Sequence, residues 1–181
     1  MFSKKDFQLM RKEYHEFDKS REKLIKISRA VVKLSKQTIY AIHRNDLADA
    51  SKLTKNLNKE FGRLNALVKR IPNLKTVGQF KSAAAEFAEA MLYYGFVKNK
   101  RIPTHSGLLV STESYLLGLC DFTGELTRMA VFLAGKNKVD QVIKIKDLVD
   151  NIYWELLKFD FRNGELRKKF DSIKYLSLIH I

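Results

Sequence analysis

Two pairs of acidic residues stand in stretches of this sequence that are otherwise almost entirely apolar. Glu86 and Glu89 lie in SAAAEFAEAMLYYGFV, positions 82–97, and Asp121 and Glu125 lie in SYLLGLCDFTGELTRMAVFLA, positions 114–134. Carboxylates three or four positions apart on a helix project from the same side. Four carboxylates brought together make an all-oxygen set of ligands, which suits a hard divalent cation, Mg²⁺ or Mn²⁺.

Such a site can orient a water molecule and neutralise a phosphodiester in its transition state. Neighbouring anions in a poorly solvated place repel each other and lose hydration, so protonation, an arginine or a cation must compensate them. The alternative is that Glu125 pairs with Arg128, that Asp121 caps a local turn, and that the two glutamates reach solvent. The spacing of the residues leaves both possibilities open.

The elements that must position these carboxylates are helices. Two prolines and eight glycines are few for a fold rich in tight turns, and no segment alternates convincingly as a strand does. Apolar periodicity predicts helices over about 6–44, 47–70, 74–97, 114–134 and 139–159, another from about 163, and a short helical turn before 114. The prediction is an all-α bundle of six or seven helices in one domain, residues 1–175.

Packing of the third predicted helix against the fourth would bring the two acidic pairs together. Only the loop 98–107 separates these helices, so an antiparallel arrangement is expected. Gly118 and Gly124 are expected to let a neighbouring backbone come close to the fourth helix, since glycine carries no side chain.

A stripe of basic residues runs along the first predicted helix. Lys26, Arg29, Lys33 and Lys36 follow spacings of 3, 4 and 3, and no acidic residue lies between positions 24 and 44. The whole chain carries a net charge of +14. A field of this sign attracts polyanions, either nucleic acid or an anionic membrane. The alternative is an ordinary solvated face that keeps the protein soluble.

Composition narrows the class of protein further. The single cysteine, Cys120, excludes an intrachain disulfide, and this fits a reducing compartment such as the cytoplasm. No apolar run reaches eighteen residues, so no membrane span is expected, and the first residues lack the apolar core of a signal peptide. The segment LSLIHI, residues 176–181, switches abruptly to apolar residues, and we expect it to be a non-native tail.

Four segments, in order along nearly the whole chain, resemble one protein family. YLLGLCDFTGELTRMAV (115–131) is similar to the most characteristic motif of the translin family, in particular of translin-associated factor X and its archaeal relatives. KISRAVVKLSKQTIYAIHR (26–44), AEFAEAMLYYGFV (85–97) and GELRKKFDSIKY (164–175) resemble its first helix, its third helix and its penultimate segment.

The resemblance implies a bundle of about seven helices that assembles into a homo-oligomer, an octamer. It also implies a Mg²⁺-dependent endoribonuclease that acts on single-stranded RNA. The carboxylates of the factor X type fall on Glu86 and Glu89 in the third helix and on Asp121 and Glu125 in the fourth-helix motif, as both metal ligands and catalytic residues. With the family in view, the basic stripe is expected to hold RNA phosphates, with Arg44 as a weaker candidate.

The alternative within the same family is a non-catalytic protein, similar to translin, that captures single-stranded RNA or DNA. A purely structural helical scaffold would instead show no nucleic-acid binding at moderate salt. A membrane-surface helix is the least favoured interpretation, because Ser28 and Ser35 interrupt the apolar seam of the first helix.

Overall fold

The computed structural model describes the backbone of residues 3–179 and the side chains of residues 3–175. Within these residues there are seven α-helices and no strand, so the predicted all-α bundle is confirmed. The helices are α1 (Lys4–His43), α2 (Leu47–Arg70), α3 (Gly78–Asn99), α4 (His105–Leu108), α5 (Thr112–Ala134), α6 (Val139–Leu156) and α7 (Glu165–Ile179). None of the helices in this described part is long and apolar enough to cross a bilayer.

The boundaries of the helices follow the predictions, and the differences have local causes. α2 spans the predicted residues, and Asp46 caps it by accepting a hydrogen bond from the Asp49 backbone N–H at 2.9 Å. α3 begins four residues later than expected because Pro72–Thr76 first closes into a 3₁₀ turn. Proline at the start of such a turn has a fixed φ and no N–H to satisfy.

The second half of α1 buries one side against α2 and α3. Its buried residues recur at helical spacing and are apolar or small: Leu24, Ile27, Ser28, Val31, Ser35, Thr38, Ile39, Ala41 and Ile42. Residues 3–16 are exposed throughout. The basic stripe predicted for α1 therefore lies on the solvent side of a helix that is anchored by its opposite face.

α3 is the central helix of the bundle, in contact with α1, α2 and α5. Nearly every residue over its middle is buried: Ala83, Ala84, Ala85, Phe87, Ala88, Glu89, Ala90, Leu92, Tyr93, Tyr94 and Gly95. These residues surround the helix axis, as expected for a helix that is apolar all round. A charged side chain in the middle of α3 therefore loses much of its hydration on folding.

α5 runs in the same direction as α3, so the expected antiparallel arrangement is wrong. Lys81 near the start of α3 pairs with Glu113 near the start of α5 at 3.7 Å. Further along both helices, Phe96 lies against Phe122, with ring centroids 5.9 Å apart. The connection of residues 100–111, which includes the short helix α4, returns the chain to the start of α3.

Gly118 sets how closely α5 approaches α3. A Cβ at this position would lie 2.7 Å from the Ala85 carbonyl oxygen and 2.8 Å from the Glu89 backbone nitrogen. The prediction of a close backbone approach is thus confirmed at Gly118. It is wrong at Gly124, where no atom lies within 4 Å of the corresponding Cβ position.

α7 closes one end of the bundle by packing on α5 and α6 through Phe170 and Ile173, which are both buried. Because α7 crosses α5, it brings side chains from late in the chain to the helix with the Asp121 and Glu125 pair. The expectation that residues 176–181 form a non-native tail falls outside the described side chains, and residues 180–181 lie outside the description altogether. It stays a prediction.

Candidate functional site

All four predicted carboxylates line one cavity of about 430 Å³, which we call the carboxylate pocket. Its walls come from four helices: Lys36, Ile39 and Tyr40 of α1; Glu86 and Glu89 of α3; Cys120, Asp121, Gly124, Glu125 and Arg128 of α5; Lys169 and Ser172 of α7. The expectation that packing of two apolar helices brings the acidic pairs to one place is met. The close approach at Gly118 makes this possible, because it holds α5 against the backbone that carries Glu89.

Two of the four carboxylates have a basic partner inside the protein. Asp121 accepts a hydrogen bond from the Lys169 ammonium, and Glu125 shares one with Nε2 of His43. The Tyr93 hydroxyl lies 3.4 Å from Nδ1 of the same imidazole. Glu125 therefore pairs with His43 of α1 rather than with Arg128. Asp121 pairs with Lys169 rather than capping a local turn.

The other two carboxylates, Glu86 and Glu89, form no ion pair in the described part of the chain. Burial raises the pKa of both. Burial, together with the charges of Asp121, Glu86 and Glu125, raises the pKa of Glu89 to about 8. Burial also raises the pKa of Glu86, although the Lys36 ammonium opposes the change. Without a cation, the pocket is thus stabilised by a proton held on Glu89 and by the ammonium group of Lys169.

The pocket also shifts the pKa of Lys169, the basic partner of Asp121. Burial lowers the pKa of Lys169, but its hydrogen bond to Asp121 and the charge of that carboxylate outweigh burial, so the net shift is upwards. Lys169 is therefore charged at neutral pH and acts as the internal counter-ion of the acidic cluster.

The chemistry of the donor atoms fits a hard divalent cation. Four carboxylates face one water-accessible cavity, and oxygen is the ligand atom that Mg²⁺ and Mn²⁺ prefer. Cys120 also lines the cavity, but burial raises the pKa of its thiol to about 12, so it is not a thiolate ligand at neutral pH. Among residues 3–175, no three acidic, histidine or cysteine side chains are already gathered as a metal-binding group.

A second cavity of about 550 Å³, the basic groove, adjoins the carboxylate pocket and shares Lys36 and Tyr40 with it. It is lined by Ser28, Arg29, Val32, Lys33, Lys36, Gln37, Tyr40, Gln79 and Ser82, from α1 and the start of α3. Three of the predicted phosphate-binding residues are thus brought to one surface. Lys26 is exposed but lies outside this lining, and Arg44 lies at the end of α1, 3.5 Å from the Asp49 carboxylate.

Comparison of the sequence with models of protein families shows which family the chain belongs to. The model of the translin family matches residues 19–177. This chain belongs to the translin family. The match contains the whole basic stripe, both acidic pairs and most of α7, so it covers every residue that lines the two cavities.

The relatives of this translin-family chain include archaeal and eukaryotic proteins. An uncharacterized protein of Methanocaldococcus jannaschii is 29% identical over 158 residues, which are 85% of this chain and 70% of that protein. The translin-associated protein X homolog of Schizosaccharomyces pombe is 27% identical over 67% of this chain and 59% of its own length. Translin-associated protein X of Mus musculus is 24% identical over 84% of this chain and 67% of its own length.

Solved structures share the fold of this translin-family chain over nearly its full length. The crystal structure of apo-NeC3PO matches with a TM-score of 0.87 and 26% identity, over 98% of this chain and 93% of that one. The complex of AfC3PO with duplex RNA matches with a TM-score of 0.87 and 22% identity, over 95% and 91%. At the latter identity the likeness shows the fold alone.

Two side chains that line the sites of this translin-family protein were not predicted from the sequence. Lys169 enters the carboxylate pocket only because α7 crosses α5, a contact that leaves no periodic signal in the sequence. Tyr40 could have been found, since it follows Lys36 by one helical turn and continues the basic stripe. The contact of His43 with Glu125 was not predicted either, since it joins positions 82 residues apart.

Proposed function

We propose that this translin-family protein is a metal-dependent endoribonuclease that acts on single-stranded RNA. The observation that carries the proposal is the placement of Glu86, Glu89, Asp121 and Glu125 around one cavity that opens beside a groove with basic walls. A polyanionic strand bound in the basic groove would have one of its phosphodiesters at the acidic cluster.

The four carboxylates would hold one or two Mg²⁺ or Mn²⁺ ions, directly or through water. Such an ion, when bound, supplies positive charge for the scissile phosphate and lowers the pKa of water. One carboxylate of the cluster would accept the proton of the attacking water. Lys36 and Arg128, which both line the carboxylate pocket, would contact phosphate oxygens at its rim.

The comparisons support this proposal at the level of nucleic-acid binding. Two relatives are named as translin-associated protein X or its homolog, and a protein with the same fold is solved with duplex RNA. The net charge of +14 is the balance expected of a protein that binds a polyanion. The cleavage step rests on the carboxylate pocket of this chain.

A second function, binding of single-stranded RNA or DNA without cleavage, has its own support. The carboxylates Asp121 and Glu125 are already paired with Lys169 and His43, and no metal-binding group is preassembled among the described side chains. If these pairs persist when nucleic acid binds, the pocket stays compensated without a cation, and the basic groove alone accounts for the activity.

We also propose that the protein works as a homo-oligomer, an octamer as the family resemblance implies. Large apolar side chains are exposed along α5, α6 and the segment that follows: Val131, Phe132, Val139, Ile143, Trp154, Leu157 and Phe159. Large apolar side chains exposed to solvent mark contact surfaces where they adjoin one another. Light scattering at a series of protein concentrations tests the assembly directly.

The two functions are separated by incubating an end-labelled single-stranded RNA with metal-free protein, then with protein plus Mg²⁺, and then with Mg²⁺ plus excess EDTA. The nuclease predicts cleavage only in the second sample and binding in all three. Bound but intact RNA in every sample would support the binding protein instead. RNA that stays unbound at moderate salt would contradict both functions.

A contaminating ribonuclease is the main hazard of this assay, and the chain offers a matched control. Asp121→Asn and Asp140→Asn, purified identically, each lose one carboxylate, but Asp140 is exposed at the start of α6 and lies outside the carboxylate pocket. Cleavage by Asp140→Asn and not by Asp121→Asn assigns the activity to this protein. Equal cleavage by both variants would remove the pocket from consideration.

A further inference from the structure

The basic groove has features that phosphate binding alone does not require. It is a cavity of about 550 Å³, within the size range of small-molecule sites. Phosphates on a bare helix face need only exposed cations, whereas this cavity has Val32 in its wall and Tyr40 at the junction with the carboxylate pocket. The Tyr40 side chain is 57% exposed and makes no ring contact with another described aromatic residue.

The walls of the groove also carry side-chain amides. Gln37 and Gln79, from α1 and α3, line the same cavity. Side-chain amides both donate and accept hydrogen bonds, as the edge of a nucleobase does.

We propose that the basic groove is a subsite for one nucleobase of the bound strand, next to the phosphodiester that lies at the carboxylate pocket. The Tyr40 ring stacks on the base, while Gln37 and Gln79 contact its polar edge. Arg29, Lys33 and Lys36 hold the flanking phosphates. The subsite rests on the RNA-binding part of the proposed function and does not depend on cleavage.

The charge of the groove favours a nucleotide over other ligands. Three cations and no acidic residue line it, which favours an anionic ligand and disfavours the basic surface of a second copy of this chain. The aromatic ring and the apolar wall suit the flat base of a nucleotide, and the surrounding cations suit its charged phosphate. Stacking on an exposed aromatic side chain is the usual way in which proteins hold unpaired bases.

The test separates stacking from phosphate binding by their dependence on salt. A labelled single-stranded RNA is titrated in EDTA with wild type, Tyr40→Ala and Tyr40→Phe at several salt concentrations, using fluorescence anisotropy. Tyr40→Ala is expected to weaken binding by about 5- to 50-fold at every salt concentration with an unchanged slope against log salt, because stacking releases no counterions. Tyr40→Phe keeps the ring and is expected to stay within about twofold of wild type.

Tyr14→Ala is the matched control. Tyr14 is 73% exposed on the same helix, about 39 Å from Tyr40 along its axis, and lies outside both cavities. A second measurement uses an RNA in which one base is replaced by an abasic site, scanned along the strand. At one position the missing base is expected to weaken binding to wild type and to leave binding to Tyr40→Ala unchanged.

Each outcome decides the proposal. If wild type binds RNA and Tyr40→Ala binds equally well, the subsite is overturned and the RNA-binding function stands. If wild type does not bind RNA, both are overturned. Light scattering shows whether the assembly of Tyr40→Ala has dissociated. If the loss of affinity results from such dissociation, the groove is a contact between copies and the subsite is overturned.

Discussion

The basic groove and the carboxylate pocket are neighbours that solve opposite electrostatic problems. The groove presents exposed cations on one helix, and each of them keeps its hydration. The pocket gathers carboxylates from two helices, and Glu89 is only 9% exposed. Lys36 and Tyr40 belong to both cavities. Binding of phosphates in the groove needs only surface charge, whereas an acidic cluster needs compensation that the rest of the fold must supply.

The largest effect is expected when the pocket loses one of its carboxylates. Asp121→Asn or Glu89→Gln should lower Mg²⁺-dependent cleavage by at least about 100-fold, because several kcal/mol of charge stabilisation in the transition state depends on the bound ion. Binding of RNA in EDTA should remain within about twofold of wild type, since the groove is unchanged. Single-turnover cleavage and anisotropy measure the two quantities, and unchanged cleavage in both variants would contradict the account.

The next effect tests the packing that brings the two acidic pairs together. Gly118→Ala places a methyl group against backbone atoms of α3, so α5 must shift, and we expect the free energy of unfolding to fall by about 2–3 kcal/mol. Gly124→Ala is the matched control, with open space at its Cβ, and should be neutral or stabilising by up to about 1 kcal/mol. Urea denaturation followed by circular dichroism compares them. Equal stability of the two variants would show that α3 and α5 are not in close contact at Gly118.

The pH dependence of stability reports the buried carboxylate of the pocket. The pKa of Glu89 rises from its ordinary value of 4.5 to about 8 in the folded protein, so the folded state binds the proton more tightly than the unfolded state. Its stabilising contribution is therefore fully present below about pH 4.5 and is lost as pH rises towards about 8.

In EDTA, wild type should lose a few kcal/mol more stability than Glu89→Gln between pH 5 and pH 8.5, because each unit of the pKa shift corresponds to about 1.4 kcal/mol. Urea denaturation at the two pH values measures the difference. Parallel losses in the two proteins would mean that Glu89 is solvated. Divalent cation added at pH 8.5 should restore stability to wild type and not to the variant.

The smallest effect is expected in the basic groove, where single cations are replaced one at a time. Lys33→Ala should weaken binding of single-stranded RNA by a few-fold and reduce the slope of log affinity against log salt by about 0.7. Lys59→Ala removes an exposed lysine from α2, outside both cavities, and serves as the control. If both lysines change the slope equally, binding is a diffuse property of the net charge and the groove has no special role.

The contrast between the two cavities also explains what the sequence could predict. The basic stripe is a property of one helix, so the spacing of Arg29, Lys33 and Lys36 was enough to place them on one surface. The carboxylates were recognised because charges are conspicuous on apolar helices. Gly118 correctly indicated close packing, whereas Gly124, on the same helix, has open space around it. The sequence does not distinguish them, because a glycine does not reveal which atoms lie opposite it.

Features that depend on the path of the chain were beyond prediction. The parallel direction of α3 and α5 follows from how residues 100–111 return along α3, and a short loop pattern does not reveal this. The partners of Asp121 and Glu125 are Lys169 and His43, which lie 48 and 82 residues away in the chain. Local spacing had suggested Arg128 for Glu125, because it is the nearest cation on the same helix.

The proposed nuclease requires that carboxylates of α3 and α5 together hold a divalent cation. Anomalous X-ray scattering from crystals of the wild-type protein grown with Mn²⁺, without RNA, tests this requirement. An anomalous peak is expected at coordination distance from oxygens of at least one carboxylate of each helix, and it should be lost in Asp121→Asn. An empty carboxylate pocket at saturating Mn²⁺, with Asp121 still bound to Lys169, would contradict it.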